Sequence, residues 1–428
     1  MAAHQPGVAS VDFRGAPALT AVLSAPTTAG HLSQITTARY EAARETVREF
    51  VRGRVDDTVV FTRDTTDAID LAAHITPGDV VVLDIEHHAD LLPWCAPRDG
   101  RNRARVVPAR DTIEDTLVAL EAELASAPAS LLAVTAASNV TGEVLPIGRL
   151  ASVAHRHGAR ILVDAAQLVA HRPVSVVSHG IDYLAFSGLP AHAGSGSEAS
   201  GLNQIPFGAG SEASGLNQIP FGAGSEASGL NQIPFGAGVL IGRRDWFDAA
   251  DPYLAGGGAT SDVDPDGRAE GGIWHTGAAR HEAGSPNVLG AVSLAQACRA
   301  LADVGPEAIG LHELRLSERL DAGLAAIHGV TPLRIFADST DRVGIAGFTV
   351  EGIAPGVVAE HLSAHHGIGV RDGRFCAHPL LKRLGHPAGA VHASFGAGTT
   401  SDDIDRLLDV LRALTEQTVL PNSTRGDR

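Results

Sequence analysis

The stretch Ile161-Leu162-Val163-Asp164-Ala165-Ala166-Gln167 joins a continuous apolar run to a carboxylate that follows it directly. Three successive aliphatic residues are typical of a strand that is buried on both faces of a sheet. Asp164 therefore stands at the carboxyl end of that strand, which is where the ligands of open α/β sheets bind. An aspartate in this position can also simply cap the following turn, so the residues around it decide between the two interpretations.

Similar apolar runs lie on both sides of this stretch and alternate with segments of helical periodicity. The predicted strands are 59–61, 80–83, 105–107, 131–134, 161–163 and 183–186. The predicted helices are 31–54, a helix that begins at Thr65, 112–126 and 146–157. Buried strands separated by helices favour an α/β fold with a mostly parallel sheet that helices cover on both faces.

The pattern changes beyond about residue 290, where it becomes helix, strand, strand, helix. This order favours a smaller α+β domain. Its last helix is predicted from Ser401 to Leu414, with Ser401 as the N-cap residue. We predict a large domain at 55–290 and a small domain formed by 291–428 together with the N-terminal segment 1–54.

The composition narrows the classes of protein to which the chain could belong. Its 428 residues, 44% of them hydrophobic, are enough for two packed cores. No signal-peptide pattern and no apolar run of membrane-spanning length is visible. The three cysteines Cys95, Cys298 and Cys376 lack the spacing of a disulfide framework or a metal cluster. A net charge of −16 without a basic run argues against nucleic acid and anionic membranes as partners. We expect a cytoplasmic protein without a metal site.

One 14-residue sequence, Ser-Glu-Ala-Ser-Gly-Leu-Asn-Gln-Ile-Pro-Phe-Gly-Ala-Gly, occurs three times without a mismatch within 197–238. The period is shorter than that of solenoid units, and every copy contains glycine and proline, which interrupt helices and strands. We predict a flexible surface loop that arose by tandem duplication. A repeat that binds a ligand and a sequence artefact are the alternatives.

Polar groups follow several of the other predicted strands in the same way as Asp164. Thr65 and Thr66 open a helix after one strand, and their hydroxyl and N–H groups can bind an anion. His87 follows a second strand, and Asn139 follows a third. Because the carboxyl ends of parallel strands meet at one edge of a sheet, these groups are predicted to converge on one crevice.

The chemistry-bearing segments also stand in a recognisable order. They are Thr65-Thr66, Glu86-His87-His88-Ala89 with Pro93-Trp94, Ser138-Asn139, Asp164-Ala165-Ala166-Gln167, Phe186-Ser187-Gly188, Gly256-Gly257-Gly258, Glu282-Ala283-Gly284-Ser285-Pro286-Asn287 and Gly369-Val370-Arg371-Asp372-Gly373-Arg374-Phe375-Cys376-Ala377. In this order they resemble the cysteine desulfurase and selenocysteine lyase group of class V aminotransferase-fold enzymes, which depend on pyridoxal 5′-phosphate (PLP). The resemblance covers roughly residues 35–415 and implies the type I fold of PLP-dependent transferases.

The resemblance implies roles for the residues around the cofactor ring. Asp164 would pair with the pyridinium nitrogen and keep the ring protonated, so that the ring can act as an electron sink. His87 would stack on the ring and take part in catalysis. Gln167 would bind the ring oxygen, and Asn139 would help to orient the substrate.

The resemblance also implies a phosphate site and a thiol acceptor. Thr65, Thr66 and Ser187 would hold the phosphate, with Ser285 donated by the other subunit of a homodimer. Cys376 falls where the group has its sulfur-accepting cysteine. Its thiolate would attack the sulfur of an amino-acid substrate.

The sequence departs from the group at the lysine that forms the Schiff base with PLP. In the group this lysine follows Ser-Gly-His, whereas here Ser187-Gly188 is followed by Leu189-Pro190. The resemblance resumes at Pro234, beyond the repeat. The one lysine of the chain is Lys382, six residues after Cys376, so it is not expected to replace the missing amine.

Two further positions depart from the group. Its arginine for the substrate carboxylate, in an Arg-Ala-Ser motif, is His392 here, and histidine cannot form a bidentate contact. The turn before Thr65 carries Asp64 where the group has glycine, which puts an anion beside the predicted phosphate site.

Three hypotheses follow for the function. The first is a PLP-dependent lyase or aminotransferase, similar to cysteine desulfurases, whose catalysis is impaired by the loss of the lysine. The second is a non-catalytic homologue that serves as a binding or scaffold protein. The third is an enzyme that needs no lysine because it uses free pyridoxamine phosphate as its cofactor, with His192 as the local candidate base.

Overall fold

A computed structural model describes residues 31–95, 104–188, 237–263 and 272–419. The predicted α/β class and the predicted mostly parallel sheet are confirmed. Most of the repeat, together with Pro190 and His192, lies outside the described residues. The prediction of a flexible surface loop therefore stays a prediction.

The strands, numbered in chain order, form one large sheet, one smaller sheet and a short hairpin. They are β1 Asp57–Thr62, β2 Val80–Leu83, β3 Ala104–Val107, β4 Leu131–Thr135, β5 Arg160–Asp164, β6 Tyr183–Ser187, β7 Gly238–Arg243, β8 Thr260–Asp262, β9 Ile273–Trp274, β10 Val330–Pro332, β11 Ile345–Val350, β12 Arg371–Gly373 and β13 Ala390–Ser394. The seven-stranded sheet has the order β1-β7-β6-β5-β4-β2-β3, and the four-stranded sheet has the order β10-β11-β13-β12.

In the large sheet, β7 runs antiparallel to both of its neighbours, β1 and β6. The strands β2, β3 and β4 pair in parallel, and so do β5 and β6. The strands β2, β4 and β6 are buried along their whole length. This burial explains their continuous apolar sequences, because neither face of such a strand meets water.

Helices connect most of these strands. They are α1 His31–Phe50, α2 Thr65–Ile75, α3 His88–Cys95, α4 Ile113–Ser126, α5 Ile147–Arg156, α6 Val176–His179, α7 Arg244–Ala249, α8 Val288–Val304, α9 Pro306–Ala325, α10 Pro355–His366, α11 His378–Arg383 and α12 Ser401–Val419. The predicted helices agree with α1, α2, α4, α5 and α12 to within a few residues.

The N-cap predicted at Ser401 is wrong by one residue. Ser401 is already helical, and the N–H of Asp403 donates to the hydroxyl of Thr400 at 3.3 Å. Thr400 therefore caps α12, because its hydroxyl accepts a bond that the first helical turn leaves free. The helix packs into the core of the four-stranded sheet through Ile404, Leu408 and Leu411.

By its internal contacts the chain divides into two compact units. Of the described residues, the first unit comprises 31–77, 162–188, 237–263 and 272–306, and the second comprises 78–95, 104–161 and 307–419. These bounds differ from the predicted domain limits, which stay a prediction. No single helix of the described ranges is long and apolar enough to cross a membrane. The pair α8 and α9, bent by 77°, meets the length and composition criteria only when taken together.

Candidate active site

The first unit places Asp164 at the carboxyl end of β5, as the sequence predicts. The residue is only 4% exposed, and its Oδ1 accepts one hydrogen bond, from the N–H of Ala166 at 3.0 Å. Burial raises the pKa of the Asp164 carboxyl to about 6, against the opposing effect of that hydrogen bond. A buried carboxylate with a single backbone donor is stabilised by a cationic donor, such as a protonated pyridine nitrogen.

Gln167 lies three residues further along the same turn and is half-buried. Its Oε1 is buried and receives no hydrogen bond from the residues that the structure describes. Leaving a buried amide oxygen without a partner is unfavourable. The side-chain amide thus has hydrogen-bonding capacity for an external polar group: Oε1 can accept from an N–H or O–H, and the predicted contact with a ring oxygen would come from the Nε2 donor.

Two of the predicted phosphate ligands meet in the first unit. The hydroxyl of Thr65 donates to the hydroxyl of Ser187 at 2.9 Å, and both residues are buried. Thr66 is exposed at the start of α2. Asp64 is the N-cap of this helix, and its Oδ1 accepts from the N–H of Asp67 at 2.9 Å. A carboxylate therefore already occupies part of the helix terminus that would bind a phosphate.

Glu282 begins the segment that carries the exposed Ser285, and it has a structural role that sequence reasoning missed. Both terminal nitrogens of Arg44 donate to its carboxylate at 2.9 Å. The Tyr40 hydroxyl donates to it at 3.1 Å, and the Phe61 N–H donates to it at 2.6 Å. Glu282 therefore ties its segment to α1 and β1. The sequence signal for such a contact was that Tyr40 and Arg44, four residues apart, share one face of a predicted helix and could bind the same carboxylate.

In the second unit, His87 follows β2 and is held in one tautomer. Its Nδ1 accepts from the N–H of Ala89 at 3.0 Å, so the ring proton of the neutral imidazole lies on Nε2. Burial, followed by the charges of His88 and Arg371, lowers the pKa of His87 to about 4. The ring is therefore neutral at pH 7, which suits a side chain that stacks on an aromatic ring and carries a proton at Nε2.

Cys376 is a half-buried free thiol, and its backbone segment is fixed by two hydrogen bonds within the second unit. The Nδ2 of Asn139 donates to the carbonyl of Phe375 at 2.7 Å, and the N–H of His88 donates to the carbonyl of Cys376 at 2.7 Å. Phe375 and Cys376 have φ values of 53° and 50°, in the left-handed region that costs side-chain-bearing residues about 1–3 kcal/mol each. The structure thus places Asn139 against the segment that carries Cys376.

His392 lies in β13, directly across from Arg371 in β12. It is 3% exposed, and its ring meets Phe375 edge-on at 5.5 Å between centroids. Burial and then the charge of Arg371 lower the pKa of His392 to about 3. The imidazole is therefore neutral throughout the physiological range and supplies no positive charge for a substrate carboxylate.

Lys382 is exposed near the end of α11 in the second unit. It is the only primary amine among the side chains of the sequence. Two buried carboxylates that sequence reasoning missed also lie in this unit. Glu86 accepts from the N–H of Thr135 at 2.7 Å, and Glu143 accepts from the N–H groups of Ile335 and Phe336 at 2.7 and 3.0 Å. Each carboxylate therefore holds a backbone segment in place. The sequence signal for such a role was an acidic residue next to an apolar one, Ile85 or Val144.

The sequence matches the family "Aminotransferase class-V" over residues 18–196 and 231–407. The match is broken inside the triple repeat. The chain belongs to the class V aminotransferase family. Members of this family are PLP-dependent, and its cysteine desulfurases share the type I fold of PLP-dependent transferases.

Curated members of the class V family include cysteine desulfurases. The chain is 30% identical to a probable cysteine desulfurase of Mycolicibacterium paratuberculosis, over 91% of this chain and 50% of the relative. It is 31% identical to a cysteine desulfurase of Klebsiella pneumoniae, over 90% of this chain and 84% of the relative. The chain thus spans only about half the length of the first of these relatives.

A solved class V structure supports the same conclusion. The cysteine desulfurase of Thermococcus onnurineus NA1, in its apo form, superposes with a TM-score of 0.75 at 28% identity, over 92% of this chain and 88% of that chain. Asp164, the side-chain amide of Gln167 and the Thr65–Ser187 pair are polar groups of the kind that PLP needs at its ring and phosphate. Those residues fit PLP, whereas the covalent attachment does not fit, because no lysine precedes β7.

Proposed function

We propose that this chain is a cysteine desulfurase homologue that binds PLP without a covalent link and releases sulfur from cysteine far more slowly than a lysine-containing enzyme. The observation that carries the proposal is Asp164. Its buried carboxylate, with one backbone donor and a raised pKa, is suited to a cationic ring nitrogen. PLP, when bound, would supply the electron sink for reactions at the α-carbon of an amino acid.

The chain's own residues divide the work as the resemblance implies. Asp164 and Gln167 would bind the ring, and Thr65, Thr66 and Ser187 would bind the phosphate. His87 is a neutral imidazole with its proton at Nε2, and it would stack on the ring. Cys376, as thiolate, accepts the sulfur of the substrate.

The slow turnover follows from two missing groups. The family's lysine binds the cofactor and transfers the α-proton, and Lys382 is an exposed residue of α11. The family's arginine for the substrate carboxylate is replaced by the neutral His392, so the family's own contact with that carboxylate is lost. We further propose a cytoplasmic homodimer in which the exposed Ser285 of each subunit reaches the phosphate of the other.

Absorbance spectroscopy tests the binding mode. PLP should bind to the native chain, and borohydride followed by peptide mapping should find no residue that carries the reduced cofactor. Asp164→Asn should weaken binding. Since the carboxyl protonates below about pH 6, the advantage of the native chain over Asp164→Asn should shrink as the pH falls through 6. A reduced cofactor attached to any side chain would refute the non-covalent mode.

A sulfide assay with cysteine tests the proposed activity. It compares the native chain, a repaired chain in which the family's Ser-Gly-His-Lys segment replaces the insertion, and the repaired chain with Cys376→Ala. We expect sulfide release to rise by orders of magnitude on repair and to fall again with Cys376→Ala. Equal rates in native and repaired chains would contradict the role of the lysine. His192→Ala would then test the remaining local base.

A non-catalytic binding or scaffold protein is the second candidate, and the neutral, buried His392 favours it. The two candidates differ in one measurement. A repaired chain that also carries His392→Arg and stays inactive, although it binds PLP, would favour the scaffold. An active one would favour an enzyme that has lost two groups.

A further inference from the structure

Arg371 carries a positive charge that the described part of the chain leaves without a counter-charge. Its side chain is half-buried in β12, and its guanidinium lies 5.6 Å from the centre of the Phe375 ring. Among the described residues it has neither an ion pair nor a side-chain hydrogen bond. Two arginines with more deeply buried side chains are paired with carboxylates: Arg44 with Glu282 at 2.9 Å and Arg342 with Asp321 at 2.8 Å.

The surroundings of Arg371 in the second unit do not compensate this charge. The charge of Arg371 contributes to the lowered pKa values of His87 and His392, and both imidazoles are neutral at pH 7. Asp372, the next residue, is exposed on β12 opposite Val391. A partly desolvated guanidinium is stabilised by a carboxylate that takes two parallel hydrogen bonds from it.

We propose that Arg371 is the residue that binds the carboxylate of the amino-acid substrate in this chain. The position fits, because Arg371 lies over Phe375, whose backbone leads directly to the thiol-bearing Cys376. A small ligand held by its carboxylate at Arg371 would then present its other end near the thiol. His392, across the strand pair from Arg371, cannot take this role because it is neutral.

The proposed function is needed only to identify the carboxylate as that of an amino acid. The binding itself can be measured without PLP and without turnover. Iodoacetate and iodoacetamide are of nearly equal size and alkylate a thiolate by the same step. The sulfur attacks the methylene carbon, a C–S bond forms, the C–I bond breaks and iodide leaves. They differ in that iodoacetate carries a carboxylate.

The experiment measures the rate of alkylation of Cys376 by each reagent, with peptide mapping, in a Cys95→Ser background that removes the exposed thiol. The iodoacetate-to-iodoacetamide rate ratio is compared with that of N-acetylcysteine. We expect the ratio for Cys376 to be about tenfold higher, as a charge-assisted hydrogen bond of roughly 1.4 kcal/mol would give. Arg371→Gln should return the ratio to the value of N-acetylcysteine.

Arg374→Gln is the matched control, because Arg374 is closer in sequence to Cys376 than Arg371 is, and it is exposed. It should leave most of the ratio intact. An unchanged iodoacetamide rate in Arg371→Gln shows that the segment stays folded and accessible. An unchanged ratio in Arg371→Gln, or an equal loss in Arg374→Gln, would overturn the proposal.

If Arg371→Gln does not fold, a competition experiment on the Cys95→Ser protein tests the carboxylate site instead. Propionate should slow the labelling by iodoacetate, and propionamide at the same concentration should not. Equal effects of the two competitors would count against a carboxylate site. A positive result in a protein that fails to bind PLP would refute the proposed function and leave the carboxylate site standing.

Discussion

Asp64 shows how one side chain can stabilise a helix and weaken a ligand site at the same place. Its carboxylate accepts from the N–H of Asp67 and so caps α2. The same helix terminus, with Thr65 and Thr66, is the one proposed to bind the PLP phosphate. Two anions at one terminus repel each other, and they compete for the same N–H groups.

Asp64→Gly should therefore strengthen PLP binding by about three- to tenfold, which corresponds to roughly 1 kcal/mol at a helix terminus. Glycine is a tolerable N-cap, so the stability of the protein should fall by only a few tenths of a kcal/mol. Equilibrium titration with PLP measures the effect. Asp64→Asn is the control: it keeps the cap without the charge, and affinity equal to that of the native chain would assign the effect to competition for N–H groups.

At the residue scale, sequence could predict those site residues that follow a strand in a fixed motif. Asp164 and the Thr65–Ser187 pair lie where the motifs predicted them, because the end of a buried strand fixes the position of the next residue. The environment of Arg371 could not be predicted in this way. Its position opposite His392 depends on the register of β12 with β13, and its missing counter-charge depends on how the strands pack.

At the scale of elements, Glu282 joins α1, β1 and the segment that leads to Ser285. Glu282→Ala should lower the free energy of unfolding by about 3 kcal/mol, because Arg44 would keep a largely buried charge without its main partner. Urea denaturation measures the loss. Glu41→Ala removes the other carboxylate that contacts Arg44, but Glu41 is exposed, so the change should stay below about 0.5 kcal/mol. Similar losses in both variants would contradict the special role of Glu282.

Elements were predictable where burial dictates composition. The strands of the large sheet have continuous apolar sequences because helices cover both faces, and these strands were found from sequence. The antiparallel β7 was not placed, since it follows the repeat and its apolar residues Val239, Leu240 and Ile241 carry no sign of direction. The cap of α12 was missed by one residue, because Thr400 and Ser401 are equally good N-caps by type.

At the scale of the whole molecule, the insertion leaves and re-enters the large sheet at one point. Ser187 pairs with Gly238, and the N–H of Gly188 donates to the carbonyl of Ala237 at 3.0 Å. Removing two of the three copies of the repeat should change the free energy of unfolding by less than about 1 kcal/mol, because loop-closure entropy depends only weakly on length. Thermal or urea unfolding measures this, and a loss of several kcal/mol would show that the repeat packs into the core.

A single added methyl group at the same place should cost more than that deletion. A Cβ atom on Gly238 would lie 2.2 Å from the carbonyl oxygen of Asp64, so Gly238→Ala must displace backbone. We expect this variant to lose about 1–3 kcal/mol in the same assay. It serves as the matched control for the deletion.

The pairing of β6 with β7 at the two ends of the insertion also bears on how the gene for this chain can change. Identical tandem copies favour slippage of the replication machinery, which adds or removes whole repeat units. Since both ends of the inserted segment are fixed to each other by one backbone pair, a lineage can gain or lose copies without shifting the register of any strand. Close relatives of this chain should therefore differ in copy number at this position, while the residues on either side of it stay alignable.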